Sequence, residues 1–430
     1  MRRDRAPVPP GAAPRHEPLG ADAALVEGRP PPAREQPFVK ILDVAEFFSS
    51  RGGGVRSYLE ELVRQGSRRG HEIVVVAPGP RDEVVPLERG RIVRVAGPPM
   101  PYDPTYHALL RLGAARAIIR REAPDVVQAS APYTAALVAA SAREVPLRTF
   151  VYHSDQISTY AAPLLDRVRP RAVARAIEGA LFAWPRALSR RFDATIAPGT
   201  FIAEQLRSHG CERVHRVTFG VKRGDFGPAR ADAALRRGLL GRFADEPSAA
   251  LLLVACRLAV EKRVALVIDA ARELAARRPV ALAVLGDGPE RARLERRAAA
   301  LPQVTFLGFA KDRATYAALH ASADVFVHGG AAETFGFVLG EALCSGLPLV
   351  VPAAGAALDF VQPGAAEVYA PRASPGEVAA AIERVLARPR EERVAAARAA
   401  GERLPTSDEH FEALFALYAD LLERGVRGGG

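Results

Sequence analysis

At 430 residues, 49% hydrophobic and 25% charged, the chain has the composition of a folded protein with room for two domains, and none of its apolar runs reaches the roughly 18–20 residues that span a bilayer. Its cysteines, Cys211, Cys256 and Cys344, are odd in number and far apart, which argues against a disulfide framework and any zinc-ligand spacing. The formal net charge of +10 lies in residues 1–225 (34 Lys/Arg against 24 Asp/Glu, with 25 against 25 in the remainder), which suits either an anionic partner for that half or an arginine-rich solvated surface.

Residues 1–36 are rich in Pro, Gly, Ala and Arg without periodicity and read as a disordered tail. No secretory apolar segment begins the chain, so a cytoplasmic location is expected. From Phe38 onward short apolar strands alternate with helical stretches. Strands are expected at 38–44, 72–77, 91–95, 125–129, 147–152, 194–197 and 213–218, with a glycine loop at Gly52–Gly54 opening a helix at 55–69. A second series follows a Gly/Pro/Arg-rich connection at 222–246, with strands at 250–255, 280–285, 304–307, 324–327 and 347–351. Continuous apolar strands between helices predict two α/β units, each a doubly wound parallel sheet covered on both faces. Boundaries are expected at 37–222 and 223–405, with 406–430 holding an amphipathic helix at 408–422 (Phe411, Leu414, Phe415, Leu417, Tyr418, Leu421) that docks back on one of them, and a short tail. Two such units side by side bring their carboxyl-end crevices together, where a ligand is expected.

The candidate chemistry falls at those carboxyl ends. Glu333 and Glu341 stand eight positions apart in Glu-Thr-Phe-Gly-Phe-Val-Leu-Gly-Glu. The first is in a loop and the second inside the helix that follows. A helix start suits an anionic ligand, so a carboxylate beside it must be aimed at other donors, such as sugar hydroxyls. Arg257 and Lys262 follow the strand 250–255 and could neutralise a diphosphate, or could be a solvated turn. Gly286-Asp287-Gly288-Pro289 reads as a strand-to-helix turn, with or without a nucleotide beside it. Gly52–Gly54 suits either close approach of a phosphate or a plain tight turn. His153, after the strand 147–152, reads as a hydroxyl contact or a structural histidine. The stretch 164–191 mixes seven arginines with Leu165, Val168, Val173, Ile177, Leu181, Phe182 and Trp184. It suits an anionic membrane surface or an ordinary core-facing helix, and Pro170 and Pro185 break any single long helix. No Asp-x-Asp pair and no nucleic-acid motif occurs, so neither a metal–diphosphate site nor a nucleic-acid partner is expected.

Taken in order, these motifs resemble the family-4 retaining glycosyltransferases of the GT-B fold from about Phe38 to Leu422. The matching elements include Gly70-His71-Glu72, Tyr152-His153-Ser154-Asp155, Pro198-Gly199-Thr200, Gly220-Val221-Lys222 and Phe306-Leu307-Gly308, besides those above. The resemblance implies that a nucleotide sugar, GDP-mannose or a UDP-hexose, is the substrate, with no cofactor and no metal. Glu341 would hold the ribose hydroxyls of the nucleotide, and Gly286 would lie in the donor site. Glu333 and the backbone N–H groups of Gly336, Phe337, Val338 and Leu339 would bind the donor sugar. Arg257 and Lys262 would stabilise the departing diphosphate, His153 would sit by the reacting sugar, and Gly53 and Gly54 would lie near the phosphates or the acceptor. The Tyr-His-Ser-Asp stretch looks most like lipid-directed mannosyl- and sulfoquinovosyltransferases. A lipid or glycan acceptor is therefore expected, together with peripheral contact at the inner membrane face. The reading from another class is a non-catalytic sugar-nucleotide or membrane-surface module on the same scaffold. The chain departs from the family pattern at Lys222 (usually Asp), Arg263 (usually Gly), His328-Gly329-Gly330 (often with Pro-Ser) and Asp359 (commonly Glu).

Overall fold

The structure, a computed structural model, describes residues 38–48, 54–101, 103–161, 168, 170–299, 301 and 303–428. The tail at 1–36, and Gly52 and Gly53 of the glycine loop, lie outside these residues.

The first sheet has eight strands, in the order Val214–Arg216, Ala194–Ala197, Leu147–Val151, Val126–Ala129, Lys40–Val44, Glu72–Gly79, Gly90–Ala96 and Glu83–Leu87. Seven run parallel, with Ile41 registered against Ile73 on one side and Val126 on the other. Alternation along the central strand feeds two cores, because successive side chains leave a strand on opposite faces. Ile41 packs with Tyr58, Leu59 and Leu62 of the helix Gly54–Arg68, whereas Leu42 and Val44 pack with Ala115 and Ile119 of Leu112–Glu122 and with Ala135 of Thr134–Ala140. Both faces are buried, which is why the strand reads as an uninterrupted apolar run.

The second sheet is fully parallel: Val304–Gly308, Val280–Leu285, Ala250–Ala255, Val325–Val327, Leu349–Pro352 and Ala366–Tyr369. Leu252 and Val254 face the helices Val264–Ala275 and Pro375–Leu386, while Leu251 and Leu253 face Leu319 and Leu343.

Some elements differ from the sequence reading. The edge strand Glu83–Leu87 is antiparallel to Gly90–Ala96, so the first sheet is mixed. A two-stranded hairpin, Pro99–Met100 with Asp103–His107, stands apart from both sheets. The strand Ala366–Tyr369 was also not anticipated. The first three of these segments carry proline and Ala366–Tyr369 is a four-residue strand with a charged Glu367, so they lack the continuous apolar signal that marks a central strand.

The chain passes between the two sheets twice, and the crossings lie side by side. Val221 N–H donates to the Pro405 carbonyl and Ser407 N–H to the Val221 carbonyl. The last helix, Ser407–Gly428, opens with a capping box in which Thr406 and Glu409 satisfy one another's backbone N–H groups. It returns to the first sheet. Phe411, Leu414, Phe415 and Tyr418 are at most 2% exposed, and the Tyr418 hydroxyl meets Thr149 at 3.3 Å and also Gln128.

The described part of the arginine-rich stretch forms two helices, Arg171–Leu181 and Ala183–Ser189, divided at Phe182, with Pro185 in the first turn of the second. Contrary to the core-facing reading, Val173, Ile177, Leu181 and Trp184 are 38–45% exposed on one face, while Ala174, Phe182 and Leu188 supply the buried contacts.

Candidate active site

The carboxyl ends of the two sheets face a cleft of about 1070 Å³. Its walls carry Gly54, His153, Arg257, Lys262, Gly286, Glu333, Gly336, Phe337, Val338 and Glu341, so ten residues chosen from sequence share one cavity. Gly53 lies outside the described residues. Leu339 is a correction: its side chain is fully buried in the core, and its N–H donates to the Gly336 carbonyl at 2.9 Å, so it offers the cleft no donor. Gly336, left-handed at φ +86°, precedes the helix Phe337–Cys344, and this first-turn bond to its carbonyl leaves the open N–H groups among the residues before Leu339.

Lys262 and Glu333 form a direct ion pair deep in the cleft, with side chains 23% and 13% exposed. Burial alone would push the Glu333 carboxyl up, but Lys262 and then His328 overcome it and hold the carboxylate well below its usual range. Burial likewise acts to lower Lys262, and Glu333 more than compensates, so the ammonium stays charged. The pair is therefore doubly ionised at neutral pH. His328 Nε2 lies 3.1 Å from Glu333 Oε1, a neighbour that sequence reasoning missed because it noted His328 only as a departure from the family pattern.

Arg257, about half exposed, stands 3.5 Å from Asp103 of the unanticipated hairpin, so this cation links the two walls. Gly286 has φ +122°, and a Cβ there would come within 2.0 Å of the Cys256 carbonyl oxygen. Only glycine lets the turn after Val280–Leu285 pass so close to the neighbouring strand end. Beside Gly54, by contrast, a Cβ would meet nothing within 4 Å.

On the opposite wall His153 is half-buried among aromatic rings, edge-on to Tyr58 at 4.6 Å and tilted against Phe219 at 5.3 Å. Burial and then His410 hold its imidazole down to about 3, so it is neutral near pH 7. Its Nε2 is buried and has no hydrogen-bond partner among the described residues. His410, from the last helix, also lines the cleft. Its Nδ1 meets the Thr218 carbonyl at 3.0 Å and must carry the proton, so Nε2 accepts from the Tyr58 hydroxyl at 3.1 Å. Nothing in the sequence marked Tyr58 or His410 as more than parts of amphipathic helices.

The departures from the family pattern have local partners. Lys222 pairs with the buried Glu61 at 2.9 Å where the chain crosses between sheets. Asp359 accepts from Phe201 N–H at 3.0 Å and so caps a helix of the first half from the second. Arg263 takes the left-handed φ of +49° that a glycine would adopt at less cost, and its guanidinium donates to the Pro371 carbonyl.

The chain matches known proteins over most of its length. Residues 52–223 match Glycosyltransferase Family 4 and residues 244–403 match Glycosyl transferases group 1. The chain is 32% identical, over 85% of its length and 92% of the relative's, to a GDP-mannose-dependent alpha-(1-6)-phosphatidylinositol dimannoside mannosyltransferase of Mycobacterium tuberculosis. The chain belongs to glycosyltransferase family 4. This glycosyltransferase is also 35% identical, over 76% of its length and 82% of the relative's, to a GDP-mannose-dependent alpha-mannosyltransferase of M. tuberculosis. Among solved structures, the sucrose-phosphate synthase of Thermosynechococcus elongatus superposes with a TM-score of 0.66 at 19% identity, covering 90% of this chain and 98% of its own. Anabaena HepE in complex with UDP and glucose gives 0.65 at 20% identity, covering 88% and 99%. The fold is GT-B, with two Rossmann-like lobes around the cleft, and the enzyme transfers a sugar from a nucleotide donor. Among the described residues no helix is long and apolar enough to cross a membrane, and no group of three or more His, Cys, Asp or Glu side chains is placed to hold a metal ion.

Proposed function

We propose that this glycosyltransferase moves a mannosyl group from GDP-mannose to an anionic lipid acceptor, with retention of anomeric configuration and without a required metal. The observation that carries the reading is the ionised Lys262–Glu333 pair at the base of the cleft. In this account Lys262 and Arg257 take up the charge that grows on the departing diphosphate, helped by the N–H groups at the start of Phe337–Cys344. Glu333, fixed by Lys262 and His328, accepts from sugar hydroxyls, and Glu341 accepts from the ribose. Neutral His153, on the cleft wall, sits by the reacting sugar. The acceptor attacks the face from which the diphosphate leaves, and the leaving phosphate takes the acceptor proton. The choice of mannose and of a lipid follows the activities of the M. tuberculosis relatives.

A thermal-shift screen tests the donor. GDP and GDP-mannose should raise the melting temperature more than UDP, UDP-glucose or UDP-galactose, because a ligand that binds only the folded state stabilises by mass action. Transfer should persist in excess chelator. Stabilisation by the uridine series alone, or transfer lost with EDTA and restored by magnesium, would overturn the donor or the metal-free reading respectively.

The acceptor wall also carries the membrane contact in this proposal. The exposed Val173, Ile177, Leu181 and Trp184, with Arg175 and Arg191 exposed nearby, form the apolar and basic face that an anionic bilayer attracts. Vesicles rich in phosphatidylglycerol should sediment the protein and phosphatidylcholine vesicles should not, and Ile177→Asp/Leu181→Asp should abolish sedimentation. Equal partition into both vesicles, or full sedimentation of the double variant, would remove this face from the account.

A further inference from the structure

Glu341 does not stand alone in the cleft. Its Oε1 accepts from Arg313 Nη2 at 3.0 Å and its Oε2 from the Tyr316 hydroxyl at 2.8 Å. Both donors belong to the helix Arg313–Ser322, one turn apart on the face turned to the cleft. Arg313 is held through a second nitrogen as well, with Nε 2.9 Å from Asp225 Oδ2 in the turn Arg223–Asp225, just past the crossing between the lobes. The guanidinium also lies over the Phe226 ring at 4.6 Å and the Tyr316 ring at 5.3 Å. Two carboxylates and two rings thus fix its plane and its azimuth. A lysine could supply the charge but not the fork that spans both acids.

We infer that Arg313 and Tyr316 are positioning residues that lock Glu341 as a two-pronged acceptor for the vicinal hydroxyls of the donor's ribose. The inference rests on Glu341 being the ribose contact. Each carboxylate oxygen has two lone-pair directions, and here each spends one on a protein donor. One acceptor direction per oxygen remains, and adjacent hydroxyls on a five-membered ring present two donors side by side. Without its two anchors the carboxylate can rotate, and it can accept both hydroxyls only after that freedom is lost again. Arg313 and Tyr316 supply the order in advance, which is preorganisation in the binding sense. The Asp225 contact extends the arrangement, tying the ribose-holding acid to the segment that joins the lobes.

The test is calorimetric. GDP and 2′,3′-dideoxy-GDP are titrated into the full-length enzyme and into Arg313→Gln, Tyr316→Phe and Glu341→Gln, with the UDP pair run in parallel. The wild type should favour the ribonucleotide by roughly 10–100-fold, the worth of charge-assisted hydrogen bonds to two hydroxyls. Arg313→Gln should bind the ribonucleotide about tenfold more weakly and discriminate within about threefold, while its affinity for the dideoxy ligand barely moves. Tyr316→Phe, a smaller perturbation that keeps the ring over Arg313, should lose part of the discrimination in the same direction. Equal weakening of both ligands by Arg313→Gln would mean that the arginine acts on the base, the phosphates or the fold, and would overturn the inference while leaving Glu341 in place. A wild type that binds the ribo- and dideoxy ligands equally would instead remove the ribose role of Glu341, and the positioning role with it.

Discussion

Replacing Lys262 by methionine should lower the rate of sugar transfer by about 10²–10³-fold, the usual cost of removing one preorganised charge from a site where negative charge develops. The same substitution should also destabilise the fold. Glu333 would be left ionised and buried without its principal partner, and breaking a buried pair from one side costs about 3–5 kcal/mol. These effects separate in a second variant. Lys262→Met/Glu333→Gln removes both charges, so most of the stability should return while transfer stays lost. Urea unfolding read beside a donor-saturated transfer assay checks both halves. If the single variant transfers within about threefold of wild type, Lys262 does not meet leaving-group charge. If the double variant is no more stable than the single one, the ion pair is not what holds Glu333 in its low-pKa state, and His328 must carry more of that work than its 3.1 Å contact suggests.

The sequence made the central strands readable for a simple reason. Ala194–Ala197, Ala250–Ala255 and Val280–Leu285 are buried at every position, so each is an unbroken apolar run between helices. Glu83–Leu87 alternates half-buried and exposed positions and contains Pro86, as an edge strand can, and it left no such trace. The site was legible where local spacing dictated geometry. Glu333 and Glu341 flank a helix start, and both line the cleft. It was not legible where partners come from distant strands. Lys262 meets Glu333 across 71 positions because the strand Ala250–Ala255 lies next to Val325–Val327 in the sheet, an order no local pattern encodes. Leu339 was misread for a related reason. Counting every N–H of the first turn as open overlooks the bond that the third helical residue can make back to the residue before the helix, here Leu339 N–H to the Gly336 carbonyl. Arg313, Tyr316 and His410 looked like ordinary helix positions, and only the packing of three separate segments gives them a polar role.

Ending the chain after Pro405 should prevent the first lobe from folding, although the cut lies far from it in sequence. The helix Ser407–Gly428 fills the face of the first sheet beside Gly54–Arg68 with Phe411, Leu414, Phe415 and Tyr418, none more than 2% exposed. Burying each such side chain is worth about 1.5–3 kcal/mol, so the four together contribute roughly 6–12 kcal/mol. That is comparable to the whole stability of a domain, about 5–15 kcal/mol. Polar losses add to it: Gln128 and Thr149 lose the Tyr418 hydroxyl, and Tyr58 loses His410. The last of these reaches the cleft, because Tyr58 is the ring against which His153 rests. Circular dichroism and limited proteolysis of a 1–405 fragment should show the lobe around Lys40–Val44 unfolded or rapidly cut. His410→Ala in the intact chain should keep the fold and perturb only the Tyr58–His153 wall. A 1–405 fragment as stable and as active as the full chain would mean that the last helix merely rests on a lobe already complete without it.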